Sequence, residues 1–206
     1  MNEGYISILN NIASKNPTPG GGAVAALTLG HSYSLVSMVA RLTISSDKWL
    51  EGHDISNNLI EICDNGIIKS MELAKNDCAA FDNVMKSYRL SKNNENERSL
   101  RKERIMQSSL EATMAPFRIA EEASNLLLLL PEFAKKANKN ALTDLASASK
   151  LAHSSVYIAS LNVKINAPSI SEEERIKYND RILKIISQST LLDEETQKII
   201  SSRLEW

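Results

Sequence analysis

Three consecutive glycines follow two prolines near the amino end of the chain, in the segment Pro17-Thr18-Pro19-Gly20-Gly21-Gly22. An apolar segment with helical character begins at about Ala23, so Gly20, Gly21 and Gly22 lie at a predicted helix amino terminus. Backbone amides that no side chain covers, together with the partial positive charge of a helix end, form a pocket for an anion or an oxygen acceptor. A flexible turn between two helices explains the same composition. The segment matches neither the P-loop nor the GxGxxG dinucleotide pattern.

Two carboxylates, Asp77 and Asp82, lie five residues apart in a long helical pattern. Five residues of helix separate them by ~140°, so they cannot form a tight pair. Asp82 is bordered by Cys78 and Met85 of the apolar stripe, and partial burial there would suit it for proton transfer. The alternative is a solvated ion pair between Asp82 and Lys86, one turn further along.

A third polar group, Asn138, Asn140 and Asp144, stands where another helix is predicted to begin. Asn140 is a suitable N-cap, and an aspartate in the first turn complements the helix dipole. The functional alternative is that these side chains bind the donors and acceptors of a heterocycle. Asn162 and Asn166 bracket the other end of the same helix, where amides either cap the helix or bind a ligand.

The remaining reactive residue types form no recognised site. His31, His53 and His153 are scattered, with no metal-ligand spacing on one helix, so we expect no metal. Cys63 and Cys78 are predicted to lie ~22 Å apart on one helix, too far for a disulfide. Two reduced cysteines are typical of a cytosolic protein. A formal net charge of −1 provides no global field that would attract nucleic acid.

The elements that must position these residues are predicted to be helices. The chain has 206 residues, with 7 glycines, 5 prolines and 5% aromatic residues, which favours long helices over a sandwich or barrel. Apolar residues recur at three-four spacing over about 54–89. Further helices are predicted over about 5–15, 23–44, 99–130 and 141–165, followed by a charged C-terminal helical pair over 171–187 and 193–204. The predicted fold is all-α, a single-domain bundle of five to six helices spanning residues 1–206, with long antiparallel helices.

One predicted helix raises the question of a membrane. The run from Ala23 to Ala40 is uncharged and nearly long enough to span a bilayer. It contains Thr28, His31 and Tyr33, which are costly in lipid, and the other helices are amphipathic. We therefore interpret it as the central buried helix of the bundle and expect no membrane association. The first nine residues lack the basic region of a signal peptide, which also favours a cytoplasmic location.

Taken in order, these motifs resemble the formiminotetrahydrofolate cyclodeaminase/methenyltetrahydrofolate cyclohydrolase family. The resemblance extends over about Ile8 to Ile170. Five groups of segments carry it: Ala13–Leu27 with Met38–Thr43, Asp77–Met85 with Tyr88–Leu90, Ala112–Glu121, Asn138–Asp144, and Leu161–Asn166. Two departures stand out, since the segment 44–49 is less basic than in many relatives and His31 replaces a small residue.

The resemblance implies an all-helical homodimer that binds a folate substrate and needs no metal or redox cofactor. It assigns the glycine turn Gly20–Gly22 to substrate binding. It makes Asp77, Asp82 and Asp144 the candidate catalytic residues, of which we expect Asp82 to be the general acid–base. The polar amides Asn138, Asn140, Asn162 and Asn166 complete the predicted substrate-binding set.

The resemblance also implies one of two related reactions. A cyclodeaminase, our first expectation, converts 5-formiminotetrahydrofolate to 5,10-methenyltetrahydrofolate and ammonia, as in histidine degradation. A cyclohydrolase instead adds water to the methenyl carbon and gives 10-formyltetrahydrofolate. Both reactions pass through a tetrahedral carbon bonded to nitrogen and need a carboxylate that moves protons and favours cationic nitrogen. A non-catalytic folate-binding or helical interaction protein is the remaining alternative.

Overall fold

The computed structural model describes residues 3–206, and the regular elements in that range are all helices. The six α-helices are α1 (Glu3–Ile12), α2 (Gly21–Ile44), α3 (His53–Tyr88), α4 (Glu95–Lys136), α5 (Leu142–Asn166) and α6 (Glu172–Leu204). Short 3₁₀ turns at Asp47–Gly52, Lys139–Ala141 and Ala167–Ser169 connect several of them. The predicted all-α bundle is confirmed.

The central helix is α2, which packs against α3, α5 and α4. Among the described helices it is the one whose length and composition would also allow it to cross a membrane, and 56% of its most apolar window is buried inside the bundle. Small residues let its neighbours approach closely. A side chain at Gly30 would lie 2.6 Å from the Ser70 hydroxyl of α3. This packing is what the sequence predicts for a core helix.

Two of the neighbours of α2, the helices α3 and α5, run antiparallel to it. Along α3, Tyr33 lies against Gly66 while Gly30, earlier in α2, lies against the later residue Ser70. Along α5, Ser155 donates a hydrogen bond to the carbonyl of Ala25 at 2.8 Å. A second such bond, from Ser32 to the Ala148 carbonyl at 2.7 Å, ties the two helices together seven residues further on. The amino-terminal half of α2 is therefore held in place against both α3 and α5.

Two predicted helix boundaries are wrong. The helix expected to end before Pro131 continues as α4 to Lys136, and the last two predicted helices are one continuous α6. Asp193, which resembles a helix start in the sequence, is instead buried in mid-helix. It accepts hydrogen bonds from Ser149 at 2.7 Å and from Lys150 at 2.6 Å. These partners on α5 explain why an acidic residue lies in mid-helix, where the sequence pattern predicts a helix start.

Candidate active site

The amino terminus of α2 has no cap of its own. Gly20 occupies the N-cap position and offers no side chain to the first amides of the helix. The first residues of α2, Gly21 and Gly22, are also glycines. Free amides at a helix start need partners, since the first four have none within the helix.

Asp77 of α3 supplies one of these partners. Its carboxylate lies directly against the α-carbon of Gly22, so closely that any side chain at Gly22 would collide with both oxygens. The backbone N–H of Ala23, in the first turn of α2, donates a hydrogen bond to this carboxylate. Asp77 therefore caps α2 from a neighbouring helix, and Gly22 is needed because only glycine leaves room for it.

Burial raises the pKa of Asp77 from 3.8 to about 6, although the hydrogen bond from Ala23 opposes this change. A carboxyl group with that pKa is roughly nine-tenths ionised at pH 7 and still exchanges protons readily. A titratable group held near the operating pH, beside a helix amino terminus, has the properties of a general acid or base. Asp77 is therefore the strongest catalytic candidate among the three predicted aspartates.

Asn162 of α5 flanks the same glycine turn from the opposite side. Its side-chain nitrogen lies 3.3 Å, and its oxygen 3.8 Å, from the position that a side chain at Gly21 would occupy. The nitrogen also donates to the carbonyl of Ile158 in its own helix at 2.9 Å, which fixes the orientation of the amide. The structure thus brings three predicted site elements together: the backbone of the glycine turn lies between the carboxylate of Asp77 and the amide of Asn162.

Asn166 has a structural partner. Pro116 interrupts the hydrogen-bond ladder of α4, because proline has no N–H to donate to the carbonyl four residues earlier. That carbonyl belongs to Ala112, and the side-chain nitrogen of Asn166 donates to it at 2.7 Å. A buried carbonyl without a partner would be costly, so this bond accounts for Asn166 without a ligand.

The partial burial predicted for Asp82 is wrong. Asp82 is exposed to solvent, and the environment expected for it is found at Asp77. The reason is that Asp77 lies seven residues after Ser70 and fourteen after Cys63, both buried on the face of α3 that meets α2. Asp82 is rotated ~140° from that face. The seven-residue spacing is the signal in the sequence that would have selected Asp77.

Asn138, Asn140 and Asp144 lie at the opposite end of α2. The side chain of Asn138 donates to the Leu42 carbonyl at 3.1 Å, close to the carboxyl end of α2, and accepts from the Asn140 amide at 3.0 Å. Asn138 therefore caps the 3₁₀ turn. The prediction that Asn140 caps the following helix is wrong, because Ala141 takes that position in α5.

Asp144 stands in the first turn of α5, as predicted. Its position is eighteen residues, or ~27 Å of helix, before Asn162. Within one chain, Asp144 therefore lies far from the carboxylate of Asp77. The predicted site residues divide into a group at the amino end of α2 and a second group at its carboxyl end.

Known proteins are similar to this chain in sequence and in fold. Residues 5–183 match the sequence model of the formiminotransferase-cyclodeaminase family. The chain is 30% identical to a methenyltetrahydrofolate cyclohydrolase of Methylorubrum extorquens, over 98% of each protein. It is 26% identical to the mouse formimidoyltransferase-cyclodeaminase, covering 88% of this chain and 34% of that longer protein.

A solved structure agrees with these matches. The crystal structure of a formiminotetrahydrofolate cyclodeaminase from Thermotoga maritima superposes with a TM-score of 0.78 and 25% identity, covering 100% of this chain and 96% of that one. This chain therefore shares its fold with that cyclodeaminase. The chain belongs to the formiminotransferase-cyclodeaminase family and is a folate one-carbon enzyme of the cyclodeaminase/cyclohydrolase type.

Proposed function

We propose that this protein is a methenyltetrahydrofolate cyclohydrolase in which Asp77 is the general base. The observation that carries this proposal is the Asp77 carboxylate held against the glycine turn with a pKa of about 6. Hydrolysis is preferred over deamination, our first expectation, because a cyclohydrolase matches the chain end to end in sequence. The substrate is a cation delocalised over two nitrogens and the methenyl carbon, so a carboxylate beside it is electrostatically complementary.

The reaction needs two proton transfers at one carboxylate. Asp77 takes a proton from water while the water oxygen bonds to the methenyl carbon, which gives a neutral carbinolamine. The bond between N5 and that carbon then breaks, and the Asp77 carboxyl returns its proton to N5. The hydroxyl proton passes to solvent as the carbonyl of 10-formyltetrahydrofolate forms, so one proton is released per turnover. General acid–base assistance of this kind contributes about 10²–10⁴-fold in rate.

Cyclodeamination is the second candidate, and the end-to-end structural similarity to a cyclodeaminase favours it. In that reaction N10 attacks the formimino carbon, and the N10 proton passes through Asp77 to the departing nitrogen. A second proton comes from solvent, ammonia leaves, and the methenyl cation remains. The same carboxylate serves both reactions, because each moves protons between nitrogen or oxygen atoms that are bonded to one tetrahedral carbon.

One absorbance experiment tests both candidates, because the methenyl chromophore is consumed by a cyclohydrolase, which lowers the absorbance, and formed by a cyclodeaminase, which raises it. We expect the protein to consume 5,10-methenyltetrahydrofolate faster than the spontaneous reaction. Formation of the chromophore from 5-formiminotetrahydrofolate would select the cyclodeaminase instead. Absence of turnover with both substrates would refute the enzyme assignment, and EDTA treatment tests our further proposal that no metal is needed.

We also propose that the protein is a cytoplasmic homodimer, as the resemblance implies. Met38 and Leu42 of α2 are 38% and 42% exposed, which leaves apolar surface on this helix that a second subunit would cover. Sedimentation at micromolar concentration should give twice the mass of the chain. A monomer under those conditions would contradict the proposal.

A further inference from the structure

Apolar residues of α3 continue past the point where the amino terminus of the antiparallel α2 lies against it. Up to Asp77 the face of α3 that meets α2 is buried, with Cys63 at 0% exposure, Ser70 at 1% and Leu73 at 7%. Beyond Asp77, α3 extends eleven more residues to Tyr88, or ~16 Å, and α2 no longer covers it. The large apolar side chains on this extension are exposed: Phe81 at 37%, Met85 at 39% and Tyr88 at 47%. Several such side chains in line on one face mark a binding surface.

Phe81 is the member of this exposed stripe nearest to the candidate site. It follows Asp77 by four residues, which places it one turn further along α3, ~6 Å in rise and ~40° around the helix. The chain has three phenylalanines, and the other two, Phe117 and Phe133, are 2% and 0% exposed. The exposed ring therefore stands on the same face of α3 as the carboxylate, beyond the glycine turn.

We propose that Phe81 stacks on the planar pyrimidine ring of the reduced pteridine in the folate substrate and so positions the one-carbon unit over Asp77. This inference rests on the proposed function and adds a substrate-binding residue to it. The pyrimidine ring of a tetrahydropteridine has a flat conjugated face for Phe81 and a polar edge for the amide of Asn162. Stacking on aromatic side chains is a general way to bind planar heterocycles.

A second copy of the chain is a poorer occupant of this position. An apolar helix laid over Phe81 would also cover Asp77 and remove its carboxylate from water without supplying a positive charge. The methenyl cation supplies that charge. The combination of an exposed ring and a carboxylate one turn apart therefore fits a cationic aromatic ligand better than an apolar protein surface.

Calorimetric titration with tetrahydrofolate tests this inference without requiring turnover. We expect Phe81→Ala to weaken binding on the order of 10-fold or more, and to raise KM with a smaller effect on kcat. Phe81→Tyr, which keeps the ring, should bind nearly as well as the parent protein. Phe81→Leu, which keeps apolar volume without a ring, should fall between them. Tyr157→Ala removes another exposed aromatic side chain, 58% exposed on α5, and should not change binding.

The result that overturns the inference is unchanged tetrahydrofolate binding in both Phe81→Ala and Phe81→Leu. Loss of the dimer in sedimentation, with binding retained, would assign Phe81 to a subunit contact instead. If Phe81→Ala unfolds, the comparison of Phe81→Leu with Phe81→Tyr still decides. Failure of the proposed function is distinguishable, because it would appear as absent turnover in the parent protein, whereas this inference depends on binding alone.

Discussion

Replacing Asp77 by asparagine should abolish most activity and yet stabilise the fold at neutral pH. The asparagine oxygen can still accept the hydrogen bond from Ala23, so the cap of α2 is kept. The substitution removes the charge that burial disfavours, and it removes the proton acceptor that the reaction needs. We expect kcat to fall by about 10²–10⁴-fold.

The stability effect follows from the pKa of Asp77. Its folded value of about 6 lies above the ordinary value of 3.8, so the folded protein holds this proton more tightly than the unfolded chain. The stability that Asp77 contributes is therefore fully present below pH 3.8 and is lost as the pH rises to about 6. The difference of about 2.2 between the two pKa values corresponds to an upper limit of about 3 kcal/mol.

Thermal melting of the parent protein and Asp77→Asn, at pH 4 and pH 8, measures this difference. The advantage of the variant should be small at pH 4 and reach several degrees in Tm at pH 8, since 1 kcal/mol corresponds to roughly 2–4 °C for a chain of this size. Asp82→Asn is the matched control, because Asp82 is exposed on the same helix, and it should change neither activity nor Tm.

Two results would refute this reasoning. Full activity in Asp77→Asn would show that another group moves the proton. A variant that melts lower than the parent protein at pH 8 would show that the ionised Asp77 stabilises the α2 terminus more than burial disfavours it. The pH profile gives an independent check, because a general base should make kcat/KM rise with pH through about 6.

Three further substitutions test the packing around the site. Gly22→Ala should displace the Asp77 carboxylate and lower kcat to the level of Asp77→Asn, while circular dichroism stays helical; retained activity would show that the contact is dispensable. Asn166→Leu should leave the Ala112 carbonyl unpaired and cost about 1–3 kcal/mol in denaturant unfolding with KM unchanged, whereas a raised KM would point to substrate binding. Hydrogen bonds hold the pKa of Asp193 below 3.8 despite its burial, so its contribution to the free energy of unfolding should persist above pH 3.8 and disappear on further acidification. Asp193→Asn should then cost about 1.5–3 kcal/mol at pH 7 and much less at pH 3. An equal cost at both pH values would contradict this.

Periodicity predicted the helices well because each long helix buries one continuous apolar face. The boundaries that failed are those where a side chain from another helix decides the outcome. Asp193 resembles a helix start in the sequence, but Ser149 and Lys150 of α5 hold it in the middle of α6. Pro116 lies inside a helix in the prediction and in the structure, but the sequence does not show that Asn166 pairs with the carbonyl that this proline leaves free. No local pattern reports partners that lie tens of residues away.

The same distinction explains which site residues the sequence predicted correctly. The glycine turn and its position at a helix start follow from local composition. The choice between Asp77 and Asp82 depends on which face of α3 meets α2, and the candidate catalytic residue is the one that continues the buried stripe. Because the antiparallel α2 has its amino terminus at Gly21 while α3 continues to Tyr88, the face of α3 that α2 covers becomes open beyond Asp77. That change leaves the Asp77 carboxylate partly buried at the limit of the covered face, which suits proton transfer better than full burial or full exposure would.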